Sequence, residues 1–237
     1  GVEYHPMPED VRAKLTETHP AQMGRMENVD SDDIAMSCRI FTRAGCQNIV
    51  RDAFEYAQKF GYKSVTVVEK PNVVRETSGL MVREARKIAK DYPGIELWET
   101  NIDAMCMWLV KNPEDYGVLV ASNMFGDIIS DLCAQLVGGL GFACSGNIGK
   151  EVAVFEPSHG SAPKYVGMNK VNPIAMMLSA KMMLDHLGET DMADKLEKAI
   201  ADVIAEGEFR TYDMGGKTTT TEMAEAIAAK WIGRAHV

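Results

Sequence analysis

The chain has 237 residues, 46% apolar and 25% charged, enough for one large domain or two small ones with an ordinary core. A formal net charge of −9 speaks against nucleic acid or an anionic membrane surface as the main partner. An anionic small molecule would then need local basic groups or a metal.

No apolar run approaches the length of a membrane-spanning helix, and the first residues lack the basic-then-apolar layout of a signal sequence. Cys38, Cys46, Cys106, Cys133 and Cys144 are scattered with no C-x-x-C spacing, which suits free thiols in a reducing cytoplasm.

In chain order, residues 1–42 read as an irregular arm or clasp-like dimerisation region with an acidic cluster at Asp30-Ser31-Asp32-Asp33 and a strand within 34–41. Residues 47–60 have helical spacing and end at Gly61. The β-branched run 63–69 predicts a strand, broken by Pro71. A helix over 75–90, a strand over 95–99 and a short helix over 104–111 follow, then a buried strand over 117–121. Gly126 offers the backbone a turn, with a helix after it. Beyond Gly141 the pattern predicts a loop, a strand over 152–155, a turn-rich segment, and helices over 173–187, 191–206 and 221–231. Strands alternating with helices predict an α/β architecture with an at least partly parallel sheet. The glycine-rich seam at 137–146 is the expected boundary between a smaller α/β domain, 43–137, and the C-terminal part of a larger one, 138–237.

Several polar residues stand where chemistry could occur. Asp127 and Asp131 are four apart, so on a helix both carboxylates share one face. A divalent cation such as Mg²⁺ or Mn²⁺ would relieve their repulsion; a solvated acidic face is the alternative. Lys70 follows a strand, at the end where α/β active sites collect, and reads either as a base or as a surface lysine. Asp103 reads as a helix N-cap or a metal ligand. The loop His159-Gly160-Ser161-Ala162-Pro163-Lys164-Tyr165 could bring freed backbone amides and a lysine to a phosphate, or serve only as a connection. Gly139-x-Gly141 lacks the third glycine of a dinucleotide fingerprint, and Gly215-Gly216-Lys217-Thr218 lacks P-loop spacing.

Four runs give these residues a common setting: Glu69-Lys70-Pro71-Asn72-Val73, Asp103-Ala104-Met105, the segment 123–131 (Asn-Met-Phe-Gly-Asp-Ile-Ile-Ser-Asp) and the segment 156–165. In this order and spacing, and with the continuation through Asn172-Pro173 and 211–218, the sequence resembles the metal-dependent β-decarboxylating dehydrogenases that act on isocitrate, isopropylmalate and homoisocitrate. The resemblance covers nearly all of 34–232. It implies an isocitrate/isopropylmalate dehydrogenase-like α/β fold and an NAD(P)-dependent oxidative decarboxylation of a small 2-hydroxy di- or tricarboxylate. Mg²⁺ or Mn²⁺ would be held by Asp127 and Asp131 of one subunit and Asp103 of its partner in a homodimer with shared active sites. Lys70, also contributed across the interface, would be the base or proton relay. Asn72, His159, Gly160, Ser161, Ala162, Lys164, Tyr165, Asn172 and Asp213 would contact the cofactor.

Lys164-Tyr165 is similar to the pair in NADP-using members. The arginine that often assists the 2′-phosphate is not evident near Tyr212, with Arg210 the nearest substitute, so NAD stays open. The runs Gly138-Gly139-Leu140-Gly141-Phe142 and Ser145-Gly146-Asn147-Ile148-Gly149 favour isocitrate and 2-oxoglutarate as substrate and product. Isopropylmalate or homoisocitrate dehydrogenase is the alternative, as is a non-catalytic regulatory subunit of an oligomeric isocitrate dehydrogenase. The resemblance further implies that the opening strands of the larger domain and the substrate-recognition serine and arginines lie outside this chain. Alone, then, it is expected to be inactive.

Overall fold

The structure is a computed structural model that describes residues 2–233. The chain divides into two compact units, residues 1–126 and 127–237.

The first unit opens with β1 (Val2–Tyr4), α1 (Glu9–Thr18), α2 (Pro20–Met23) and β2 (Met36–Cys38), and β2 pairs antiparallel with β1. Residues 1–42 are thus not irregular throughout, a correction to the sequence reading. None of the residues of α1 is fully buried, and its apolar stripe is only the half-buried Val11 and Leu15, too short for the helix to be recognised by it. It is also held by Arg12, which donates to Ser31 Oγ at 2.8 Å and to the carbonyls of Met26 and Val29 at 3.0 and 2.8 Å. Met7, Met23 and Ile34 form a small core alongside.

Next come α3 (Arg43–Phe60), β3 (Ser64–Glu69), α4 (Thr77–Ile88), β4 (Glu96–Asn101), α5 (Ile102–Lys111) and β5 (Val118–Ala121). Thr42 starts α3 by accepting from the Gly45 amide at 3.1 Å, and Gly61, at φ 76°, ends it in the left-handed region that glycine adopts without steric cost. The strands form a parallel sheet in the order β4-β3-β5. Every residue of the central β3 is buried, as its unbroken Val-Thr-Val-Val run requires. Val50, Phe54 and Ala57 of α3 and Met81, Val82 and Ala85 of α4 pack with Val65, Val67 and Val120 of the sheet. Full burial of such side chains contributes about 1.5–3 kcal/mol each for the larger ones. Parallel strands require crossover helices, so β3, β4 and β5 all end on the same side, where Lys70, Ile102 and Ser122 emerge.

Helix α6 (Asn123–Leu136) crosses from the first unit into the second. Gly126 lies inside it, its amide bonded to the Ser122 carbonyl at 2.7 Å, so the expected turn at Gly126 falls one turn earlier.

In the second unit, β6 (Cys144–Ile148) and β7 (Ala153–Pro157) form an antiparallel hairpin packed on α7 (Ile174–Leu187). The sequence reading placed a loop where β6 is. Ser-Gly-Asn is poor strand sequence in isolation, and the strand exists because Gly146 pairs with Phe155. A Cβ at Gly146 would meet that ring at 3.1 Å and Met182 of α7 at 3.4 Å. Helices α8 (Thr190–Glu206) and α9 (Thr220–Ile232) complete the unit around Ile174, Leu196, Ile200, Val203, Met223 and Ile227. Among the described residues, no helix is long and apolar enough to cross a membrane.

Candidate functional site

Lys70 leaves the sheet at the end of β3, and the partner of the preceding Glu69 on β4 is Asn101. That register sets the start of α5 beside Lys70, and Lys70 Nζ meets Asp103 Oδ1 at 2.5 Å. The Lys70 side chain is 21% exposed and that of Asp103 68%. The hydrogen bond from Lys70, aided by the Asp103 and Ala104 amides, holds the Asp103 carboxyl below its ordinary range. The N-cap of α5 is Asn101, and Asp103 sits inside the first turn, which corrects the N-cap reading and leaves its carboxylate directed at Lys70. Asn72 is exposed in the turn that follows Lys70.

Asp127 and Asp131 lie one turn apart on α6, both exposed. Hard anionic oxygens side by side suit two positions of a Mg²⁺ or Mn²⁺ shell. Among the described residues, no three His, Cys, Asp or Glu side chains converge to hold a metal. Asp127 and Asp131 by themselves would supply two positions of such a shell.

The second unit holds a cavity of about 630 Å³. It is lined by Gln135 and Gly138–Gly141 after α6, His159–Ala162 and Tyr165 of the loop after β7, Val171 and Asn172 before α7, and Tyr212 and Asp213. Its floor is rigid for a reason visible in the hydrogen bonds. Asn172, 5% exposed, accepts the Ile174 amide at 3.0 Å and donates to Asp213 Oδ2 at 3.0 Å. Asp213 Oδ1 accepts from the Thr211 hydroxyl at 2.5 Å, and the Gly141 carbonyl accepts the Ala175 amide at 2.8 Å. A Cβ at Gly141 would stand 2.5 Å from Asp213 Oδ2 and 3.1 Å from Asn172, so only glycine lets the chain pass there.

At one edge, the Tyr165 and Tyr212 rings lie 5.6 Å apart. Lys164 Nζ is 5.0 Å from the centre of the Tyr165 ring, and Lys170 Nζ is 4.6 Å from that of Tyr212 and 5.5 Å from that of Tyr165. The Tyr165 hydroxyl is pulled down by its hydrogen bond with Tyr212 and by Lys164, while the same hydrogen bond pushes Tyr212 up. The result is a positively charged rim on an otherwise acidic chain.

The isocitrate/isopropylmalate dehydrogenase family model matches residues 11–227, which takes in every residue just described. The chain belongs to this family. Among its relatives is the 3-isopropylmalate dehydrogenase of Methanothermobacter thermautotrophicus, 46% identical over 194 residues, covering 82% of this chain and 59% of the relative. Isocitrate dehydrogenase [NAD] catalytic subunit 5 of Arabidopsis thaliana mitochondria is 47% identical over 195 residues, covering 82% and 52%. A crystal structure of isocitrate dehydrogenase from Methylococcus capsulatus superposes with a TM-score of 0.84 at 39% identity, over 98% of this chain and 63% of that one. The chain thus spans about half to three fifths of the length of these relatives. Family members are metal-dependent NAD(P)-linked dehydrogenases of hydroxy acids.

Of the cofactor residues expected from the sequence, His159, Gly160, Ser161, Ala162, Tyr165, Asn172 and Asp213 line the one cavity, and Lys164 stands at its edge. Asn72 lies in the other unit, beside Lys70. Sequence reasoning missed Thr211 and Lys170, and it set Gly139-x-Gly141 aside for want of a fingerprint. The glycines mattered for another reason, the close approach of Gly141 to Asn172 and Asp213.

Proposed function

We propose that this chain is part of an enzyme that oxidises and decarboxylates isocitrate to 2-oxoglutarate, with NADP favoured over NAD. The observation that carries this reading is the 630 Å³ cavity, whose walls hold seven of the residues nominated from the sequence for the dinucleotide. Within it, the Asn172–Asp213–Thr211 chain, packed tightly against Gly141, fixes polar atoms for recognition of the dinucleotide. Lys164 and Lys170 beside Tyr165 and Tyr212 support a phosphorylated ribose, because a 2′-phosphate would meet two cations and polar hydroxyls.

A bound nicotinamide supplies the hydride acceptor, and a bound Mg²⁺ or Mn²⁺ supplies Lewis acidity. The chain's own contribution is to place the acid–base groups. Asp127 and Asp131 present oxygens for the metal, and Asp103 would extend that shell in a partner subunit of a dimer. Lys70, in its neutral form, would take the proton of the substrate 2-hydroxyl and become the ammonium, which Asp103 at 2.5 Å is placed to balance. Lys70 together with all three aspartates supports a catalytic over a regulatory subunit.

The decisive assay uses the intact protein with isocitrate, Mn²⁺ and either dinucleotide, following absorbance of the reduced nicotinamide. NADPH formation dependent on isocitrate and Mn²⁺ is expected. Oxidation of isopropylmalate with NAD, and none of isocitrate, would overturn the assignment.

A further inference from the structure

Glu69 is the last residue of β3 and has no exposure at all, yet the reaction as described makes no use of it. A carboxyl group so enclosed is costly unless its oxygens are satisfied. Both are: Oε1 accepts from the Ser122 backbone amide at 2.8 Å, and Oε2 accepts from the Ser78 hydroxyl at 2.5 Å. Ser78 Oγ in turn accepts from the Lys70 amide at 3.3 Å. The Lys70 carbonyl receives the Val73 and Val74 amides at 3.1 and 2.8 Å, and the Ser78 amide returns to the Val74 carbonyl at 3.2 Å. Lys70 therefore sits in a closed ring of hydrogen bonds with Glu69 at its base.

Three chain ends meet on this one side chain. Ser122 is the residue before α6, Ser78 lies in the first turn of α4, and Glu69 itself precedes Lys70. Across the sheet Glu69 is registered with Asn101, from which α5 carries Asp103 back to Lys70 Nζ. Arg39 clasps the same corner from outside, its guanidinium 3.4 Å from Ser122 Oγ and 4.9 Å from the centre of the Phe125 ring. Two acceptor oxygens are needed here. A glutamine could keep the bond from Ser122, but its amide nitrogen would face Ser78 as a donor. The serine proton would then lose its acceptor, and Lys70 N–H would compete with the new donor for the hydroxyl oxygen.

We propose that Glu69 is a positioning residue that fixes Lys70 through Ser78 and so aims its amine at Asp103. This rests on the proposed role of Lys70 as the proton acceptor, but the placement itself can be tested without turnover. In the intact protein, Lys70 would be acylated with an amine-reactive ester and quantified by mass spectrometry, with exposed Lys63 as the internal reference. In Glu69→Gln at unchanged fold, Lys70 labelling should rise several-fold while Lys63 stays constant. Ser78→Ala removes the hydroxyl that joins Glu69 Oε2 to the Lys70 amide, keeps the bond to Ser122, and should show the same rise; it carries the test if Glu69→Gln fails to fold. In turnover, both variants should lose kcat by about 10- to 100-fold, since a misplaced group costs that much, while KM changes little. Lys70 labelling equal to wild type in the folded variants would overturn the proposal. A wild-type protein that oxidises no hydroxy acid would instead count against the functional reading, and the labelling ratio would still decide whether Glu69 positions Lys70.

Discussion

Replacing Gly141 by alanine tests whether the cavity floor is as rigid as its hydrogen bonds imply. The added Cβ would lie 2.5 Å from Asp213 Oδ2, against the 3.4 Å at which ordinary contact begins, so a neighbour must yield by about 0.9 Å. Neither wall is free to do so. Asp213 is held at both oxygens by Thr211 and Asn172, Asn172 is held by the Ile174 amide, and Gly141 itself is tied to Ala175. Overpacking of this kind costs about 1–3 kcal/mol, which for a chain of this size lowers the melting temperature by about 2–4 °C per kcal/mol. If the same strain falls on the bound geometry, dinucleotide affinity drops about 5- to 150-fold. Calorimetric melting and a fluorescence titration with NADPH and NADH measure the two effects. Gly94→Ala is the control, because a Cβ there meets nothing within 4 Å and the residue lies outside the cavity. A Gly141→Ala protein that melts and binds like wild type would show that the Asn172–Asp213 wall yields freely, and the account of the cavity would fall.

Two further outcomes follow from the packing of each unit. Glu84, whose side chain is 2% exposed, accepts from Lys87 and Gln47, each at 2.7 Å, and faces Arg43 at 3.6 Å. The Lys87 and Gln47 hydrogen bonds hold its pKa down. A depressed carboxyl contributes stability in full above the unfolded value near about 4.3 and loses it as pH falls through the folded-state value. The gap in urea midpoint between wild type and Glu84→Gln should therefore be widest near neutrality and narrow below that pH; a gap independent of pH would remove the charge from the explanation. At the start of α9, Thr219 accepts the Glu222 amide at 3.3 Å while Glu222 accepts the Thr219 amide at 2.8 Å. Thr219→Ala should cost about 1 kcal/mol in denaturant unfolding, the usual worth of such a cap.

Much of this fold could be read from local pattern because the pattern and the packing agree. The unbroken Ser-Val-Thr-Val-Val-Glu run is β3, buried throughout, and the periodic segments became α3, α4, α7, α8 and α9 within a few residues of the expected limits. Where the two disagree, the sequence was silent. Helix α1 buries only Val11 and Leu15, and those in part, and is fixed further by Arg12 reaching to carbonyls 14 and 17 positions away. Strand β6 takes its form from Phe155 lying across Gly146, a partner nine residues further on in the hairpin that no window of the sequence displays as a strand.

The same division runs through the site. The kinds of residue and their spacing sufficed to nominate Lys70, Asp103, Asp127, Asp131 and the 159–165 loop, because one-turn spacing on a helix and placement at strand ends are local properties. Tertiary structure alone decided that Lys70 meets Asp103 at 2.5 Å, that residues from four separate segments line one cavity, and that a fully enclosed Glu69 joins Lys70 to Ser78 and Ser122. Those outcomes depend on β-strand register and helix placement, which bring together groups 53 positions apart at Glu69 and, from Gln135 to Asp213, 78 positions apart in the cavity. A linear sequence carries the side chains for such a meeting but not their distance.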